Sequence, residues 1–250
     1  MKLKEYLFLI FFGTKKPKWL HYFLSPIFLL VFLWMGVICY PNMLFAYSTQ
    51  YGQFKIHSTR PINTDQLSVV LDKVNSKIKK AEIYSDQNSF NIFLCDNVNW
   101  ARLLNPLEPN IYFAWTNPIS KNVTILKADI DNDLCYSSYI QYTSRPLSDV
   151  LTHELCHVLQ YQEFGFLKYR KIESWKLEGY ADYIGIGDDF NLEKSKLLIK
   201  DKLEKSVADD YINSYVAVSY LMSKKGWTFS KLTGSSTTLV EVLDEIENSN

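Results

Sequence analysis

The sequence predicts an α+β fold, and three patterns carry that prediction. Short β-branched or aromatic runs occupy 90–94, 111–115 and 123–127. An amphipathic helix at about 64–82 precedes them, and from Pro146 onward apolar residues recur mostly at helical spacing. Composition agrees with a folded chain: 47% of the 250 residues are hydrophobic and 22% charged, enough for one sizeable core or two small ones. Lys and Arg total 27 against 27 Asp and Glu, so no global charge invites nucleic acid, and no such partner is expected.

Residues 1–18 read as a basic leader, with Lys2, Lys4, Lys15, Lys16 and Lys18 offset only by Glu5. Residues 19–40 carry no formal charge over a length sufficient for a bilayer core, with Trp and Tyr at both ends. The pattern predicts a transmembrane signal-anchor helix. No Lys or Arg follows until Lys55, so the positive-inside rule places the N-terminus in the cytoplasm and everything after about residue 41 outside. A cleaved signal peptide is the alternative, because Ala46-Tyr47-Ser48 offers small residues at a cleavage spacing; the domain is then secreted. A buried core helix is the third reading of the same run.

Residues 41–60 have no clear period and read as a stalk or a first strand, leaving 61–250 as the main domain. Asn63 and Gln66 have the form of a capping box, and Leu67, Val70, Leu71, Val74, Ile78 and Ala81 follow at helical spacing. The lysines on the other face are solvated. Thr116-Asn117-Pro118 makes a turn between two of the strand runs, which predicts a small antiparallel sheet. Helices are then expected at about 146–164, 173–184, 191–205, 209–224 and from Leu239, the last capped by Thr238 and Glu241. Cys95 and Cys135 are either a disulfide or two small buried residues, and Asn122-Val123-Thr124 is a glycosylation sequon.

The chemistry is concentrated at His153-Glu154-Leu155-Cys156-His157. Four-residue spacing puts both imidazoles on one face of a helix, one turn apart, where they can close on a single metal. Leu147, Leu151, Leu155 and Val158 form an apolar line beside them, as a helix with its back to the core requires. Two imidazoles leave ligands to find, and Glu178 and Asp182 share a face of the next predicted helix. One of them can bind the metal while the other accepts the free N–H of a ligand ring.

These segments resemble the gluzincin-type zinc metallopeptidases, which have a thermolysin-like core within the wider peptidase MA-like superfamily. There an H-E-x-x-H helix is followed some twenty residues later by a helix carrying a glutamate ligand, in a context such as E-G-x-A or E-x-x-x-D. Glu178-Gly179-Tyr180-Ala181 has the first form and Glu178 with Asp182 the second. The resemblance covers about residues 145–225 and implies a zincin-like catalytic domain. It makes His153, His157 and Glu178 the ligands of Zn2+, Glu154 the general base, and Asp182 the carboxylate that holds a ligand histidine in place. The preceding sheet fits the family's habit of binding substrate along an edge strand.

A metzincin is excluded, because the positions where it needs Gly and His are Gln160 and Glu163. An aspzincin draws its ligand from G-x-x-D, which Gly179-Tyr180-Ala181-Asp182 satisfies, so Asp182 as ligand stays open beside Glu178. In gluzincins a Tyr or His from a later helix often donates to the oxyanion, and no histidine follows His157, so the resemblance implies a tyrosine; Tyr211 and Tyr215, one turn apart, are the candidates, with core packing as their other reading. Gly179 within a helix suggests close approach to the zinc helix or to substrate. The expected function is zinc-dependent hydrolysis of extracytoplasmic peptides or proteins by a zinc-bound water that Glu154 activates. The alternative is a catalytically inactive zincin-fold membrane protein that binds a peptide or a partner.

Overall fold

The computed structural model describes residues 18–96, 99, 103–104, 113–137, 143–187, 191, 193 and 207–249, without the side chains of 18–25 and 207–210. The chain divides into two units, Met1–Met43 and Leu44–Asn250. Most of the basic leader and of the helix expected at 191–205 lies outside the described residues.

In the first unit, helix α1 spans Lys18–Cys39 and contains Pro26. Here the sequence-based expectation of a transmembrane anchor is overturned: among the described residues no helix is long and apolar enough to cross a membrane. Pro26 removes one amide from the helical ladder. With the anchor go the single-pass topology and the extracytoplasmic location read from it.

The second unit is α+β. Residues 41–60 supply two strands: β1, Tyr47–Tyr51, and β2, Phe54–Ser58, form a hairpin in which Tyr51 faces Phe54. Gly52 turns the corner at φ +53°, a conformation that suits glycine. Helix α2, Thr64–Ile78, crosses over to β3, Phe90–Leu94, which lies parallel to β2. The chain then forms a second hairpin, β4 (Ala114–Thr116) and β5 (Val123–Ile125), with β5 inserted parallel to β3.

The sheet is therefore mixed, in the order β1-β2-β3-β5-β4, and not the small antiparallel sheet expected. The cause is α2, since strands joined through a crossover helix run the same way. A separate antiparallel sheet, β6 (Ala128–Asp129), β7 (Leu134–Tyr136) and β8 (Ser144–Pro146), leads into the long helix α3, Leu147–Tyr169. After it come α4 (Ser174–Ile186), α5 (Val207–Ser219) continued by a π turn at Tyr220–Lys224, α6 (Phe229–Gly234) and α7 (Leu239–Asn248).

The core lies where α2 and α3 meet the sheet. Leu67, Val70, Leu71, Val74 and Ile78 of α2 share one cluster with Phe54, Ile56, Phe90, Ile92, Val123 and Ile125 of the strands and Leu147, Leu151, Leu155 and Val158 of α3. Full burial of each such side chain is worth roughly 1.5–3 kcal/mol, so the apolar stripe fixes which face of α3 is left for chemistry. Cys95 and Cys135 are free thiols in the interior, each pushed up to about 12 by burial. Asn122 is also buried, which closes the sequon.

Candidate metal centre

Helix α3 begins directly after Pro146, which has no side chain to cap it. Asp133, in the turn just before β7, takes that part: its main-chain oxygen accepts from Leu147 N at 2.9 Å and its carboxylate from Ser148 N at 2.8 Å. Lys73 of α2 binds the same carboxylate at 2.8 Å. One turn on, Lys77 bonds to Asp149 and donates to the Gly185 carbonyl at 2.7 Å, joining α2, α3 and α4. Two glycines let α4 nest between its neighbours. A Cβ on Gly185 would stand 2.9 Å from the Asp149 carbonyl and 3.3 Å from His153 N; one on Gly179 would stand 2.3 Å from the Ser214 carbonyl. Gly179 thus serves the approach to α5, and it is Gly185 that lets α4 meet the histidine helix.

This packing brings His153, His157 and Glu178 together. Their Nε2 atoms are 3.0 Å apart, and each lies 3.4 Å from Glu178 Oε2. Metal–donor distances of about 2.0–2.2 Å at tetrahedral angles put donors about 3.3–3.6 Å apart, so the two carboxylate distances match and the nitrogen pair is slightly narrow. Among the described residues this is the one such trio, and it could hold a metal ion.

The far side of each ring is held as well. His153 Nδ1 is 2.9 Å from Asp182 Oδ1, and His157 Nδ1 is 2.9 Å from Gln160 Oε1. Held at Nδ1 by these oxygens, both rings turn Nε2 toward each other and toward Glu178. Asp182 is in turn bound by Arg145 Nη2 at 3.0 Å, and Gln160 donates to the Leu177 carbonyl at 3.0 Å. All four ring partners and ligands other than Glu178 are buried, Gln160 completely.

Electrostatics without a cation follows from this crowding. Burial opposes a charge on His153, but Asp182 and Glu178 outweigh it and push its pKa up to about 10. His157 is raised too, against its burial, chiefly by Glu178. Burial works against the Glu178 and Asp182 carboxylates, yet the histidines hold both below the usual carboxylate range, with Arg145 aiding Asp182. Cys156, inside the motif, is fully buried with its thiol pushed far up by desolvation, which makes it inert packing.

Glu154 is buried at 8% exposure, and its Oε2 accepts from the Thr116 hydroxyl at 2.6 Å. Tyr211 stands on α5 with 41% exposure, and Tyr215, also on α5, gives its hydroxyl proton to the Gly187 carbonyl at 3.0 Å. A third tyrosine touches a histidine: Tyr169 Oη is 3.3 Å from His157 Nδ1. It arrives there because α3 breaks at Gly165, φ +66° and ψ 164°, and the residues beyond fold back so that Tyr169 stacks on Tyr161 at 4.0 Å. Tyr169, Gln160, Arg145 and Thr116 are not among the site residues expected from the sequence. Only Gln160 left a signal, three residues past His157 on the same helical face.

Comparison with protein-family models, curated proteins and solved structures returns no match.

Proposed function

We propose that this chain is a zinc-dependent hydrolase of peptide bonds, working in the manner of the gluzincin-type metallopeptidases that its motifs resemble. The observation that carries the reading is the trio of donor atoms 3.0–3.4 Å apart, with Glu154 set between the two histidines in sequence. Two neutral imidazoles and one carboxylate suit zinc, and three protein ligands rather than four are the mark of a catalytic site. Zinc held there would supply Lewis acidity and lower the pKa of a coordinated water to about 7.

The chain's own groups do the rest. His153 and His157 present Nε2 because Asp182 and Gln160 hold Nδ1. Glu154 is the group that takes a proton from water and later gives it to the leaving amine. Peptide is the favoured substrate because β4, joined to Glu154 through Thr116, is an edge strand among the described residues, and an edge strand's outer main-chain groups can pair with an extended chain. A phenol donor to the oxyanion would be drawn from Tyr211 or Tyr215, the latter by giving up its bond to the Gly187 carbonyl.

The test is metal content by elemental analysis of the full chain, beside hydrolysis of a mixture of internally quenched peptides. About one zinc per chain is expected in wild type, lost in His153→Ala, and kept without hydrolysis in Glu154→Gln. Protein that takes up no zinc when offered it, or a Glu154→Gln variant as fast as wild type, overturns the reading.

A further inference from the structure

We infer that Thr116 is a positioning residue for Glu154: its hydroxyl engages one carboxylate oxygen, so the other is the oxygen that meets the reacting water. The inference rests on the hydrolase reading above for its catalytic meaning, and on geometry alone for the link itself. Thr116 ends β4, is paired with Val123 of β5, and is 6% exposed. Its hydroxyl has a single proton and two acceptors near it, both on Glu154: Oε2 at 2.6 Å and the main-chain oxygen at 3.0 Å. The shorter contact has the length of a hydrogen bond from a hydroxyl to a carboxylate, and the charged acceptor takes the proton.

Among the described residues no other donor reaches that carboxylate. This matters because the last torsion of a glutamate side chain is soft and roughly two-fold, so an untethered carboxylate samples both oxygens over a broad arc. One short bond to a residue fixed in a strand removes that freedom. A buried threonine hydroxyl without a partner would be costly, and valine fills a strand position of the same shape equally well. The hydroxyl therefore has its use in what it holds. The base is thereby tied to β4, at the edge of the described sheet, as well as to its own helix.

Thr116→Val keeps the shape and removes the proton; Thr116→Ser keeps the proton. In Thr116→Val, zinc content is expected to stay near one per chain and KM for the quenched peptides within about twofold, while kcat falls roughly 10 to 100-fold. Thr116→Ser is expected to regain most of the rate. Independently of turnover, the carboxylate stretching band of Glu154, isolated as the infrared difference between wild type and Glu154→Gln, should shift in the Thr116→Val background and stay in Thr116→Ser. If valine at 116 fails to fold, Thr116→Ala carries the same two measurements. An unshifted band, or a valine variant with wild-type kcat, or a serine variant as slow as the valine one, overturns the inference. Wild type that is inactive while the band still shifts overturns the hydrolase reading and leaves the link standing.

Discussion

Asp182 Oδ1 stands 2.9 Å from His153 Nδ1, on the side of the ring away from the other ligands. The same oxygen accepts from Arg145 Nη2 at 3.0 Å, so a strand residue fixes the carboxylate that fixes the ring. Asp182→Asn keeps an oxygen for the histidine but loses the charge that makes the imidazole a better donor. The expected cost is about 10 to 100-fold in zinc affinity or activity, read from competition with a chelator and from kcat/KM. No change in either would make Asp182 a residue of packing only.

Whether Glu178 or Asp182 is the third ligand decides between two readings that the sequence leaves open. The geometry gives them different faces of the histidines: Glu178 Oε2 is 3.4 Å from both Nε2 atoms, while Asp182 meets a Nδ1. Glu178→Ala is expected to lose the metal outright, whereas Asp182→Ala keeps it with weakened affinity. Elemental analysis of the two variants separates the cases, and the reverse result would assign the site to Asp182.

The parts of the fold legible beforehand are those written in local pattern. β3 is the apolar run at Phe90–Leu94, and α7 begins at the capping box of Thr238 and Glu241 that its sequence spells. The histidine helix and the helix of Glu178 and Asp182 follow from periodicity and spacing. The mixed order of the sheet was not legible, because the direction of β3 depends on where α2 lands and not on any residue within the strand. Residues 41–60 read as a stalk or a first strand, and the structure makes them a hairpin of two, in which Phe54, Ile56 and Ser58 alternate inward on either side of Lys55 and His57 and Gly52 marks the turn. Arg145 and Thr116 carry no local signal at all. Each reaches the centre only through tertiary folding, from strands 37 and 38 residues away from its partner in sequence.

Gly179 and Gly185 make separable predictions. An added Cβ at Gly179 meets the Ser214 carbonyl and Val218 on α5, away from the histidines. Gly179→Ala is therefore expected to lower stability by about 1–3 kcal/mol, several degrees of melting temperature, with zinc affinity nearly kept. At Gly185 the Cβ meets Asp149 and the backbone of His153. Gly185→Ala should cost stability and also weaken zinc binding, because the helix that must yield carries the ligand. Thermal melts paired with metal titrations check both; equal affinity in the two variants would deny Gly185 its part.

Gln160 bridges His157 Nδ1 and the Leu177 carbonyl from a fully buried position. Gln160→Leu removes the ring's closest acceptor, leaving His157 Nδ1 only the longer contact to Tyr169 Oη at 3.3 Å, and takes the side-chain donor from the Leu177 carbonyl, at about 1–3 kcal/mol for such losses in the interior. Reduced melting temperature is expected with or without zinc, and zinc affinity should fall as the His157 ring loses its orientation. Gln160→Glu retains the acceptor for the ring but no longer donates to Leu177, so it should keep more of the affinity than of the stability. A leucine variant that binds zinc as wild type does would show that the ring is held by other contacts.

The metal-free protein should lose stability as pH rises, and zinc should abolish that loss. Although burial disfavours its charge, His153 is pushed up to about 10 by Asp182 and Glu178, whereas the unfolded chain has histidine at about 6.5. A group raised on folding contributes stability that is fully present below about 6.5 and disappears as pH climbs through about 10. On the acid side the carboxylates act in the opposite sense: Glu178 and Asp182, depressed by the histidines, contribute stability above the ordinary carboxylate range and lose it as pH falls. The melting temperature of the metal-free chain should therefore peak between these windows and decline from about pH 6.5 toward 10. Zinc replaces the proton as the charge between the ligands, so binding at pH 7 should release protons, measurable by calorimetry in buffers of different ionisation enthalpy. His153→Ala should flatten the alkaline decline in the metal-free state. A wild-type melting temperature constant from pH 6.5 to 10, with zinc uptake that releases no proton, would mean that His153 is neutral without metal.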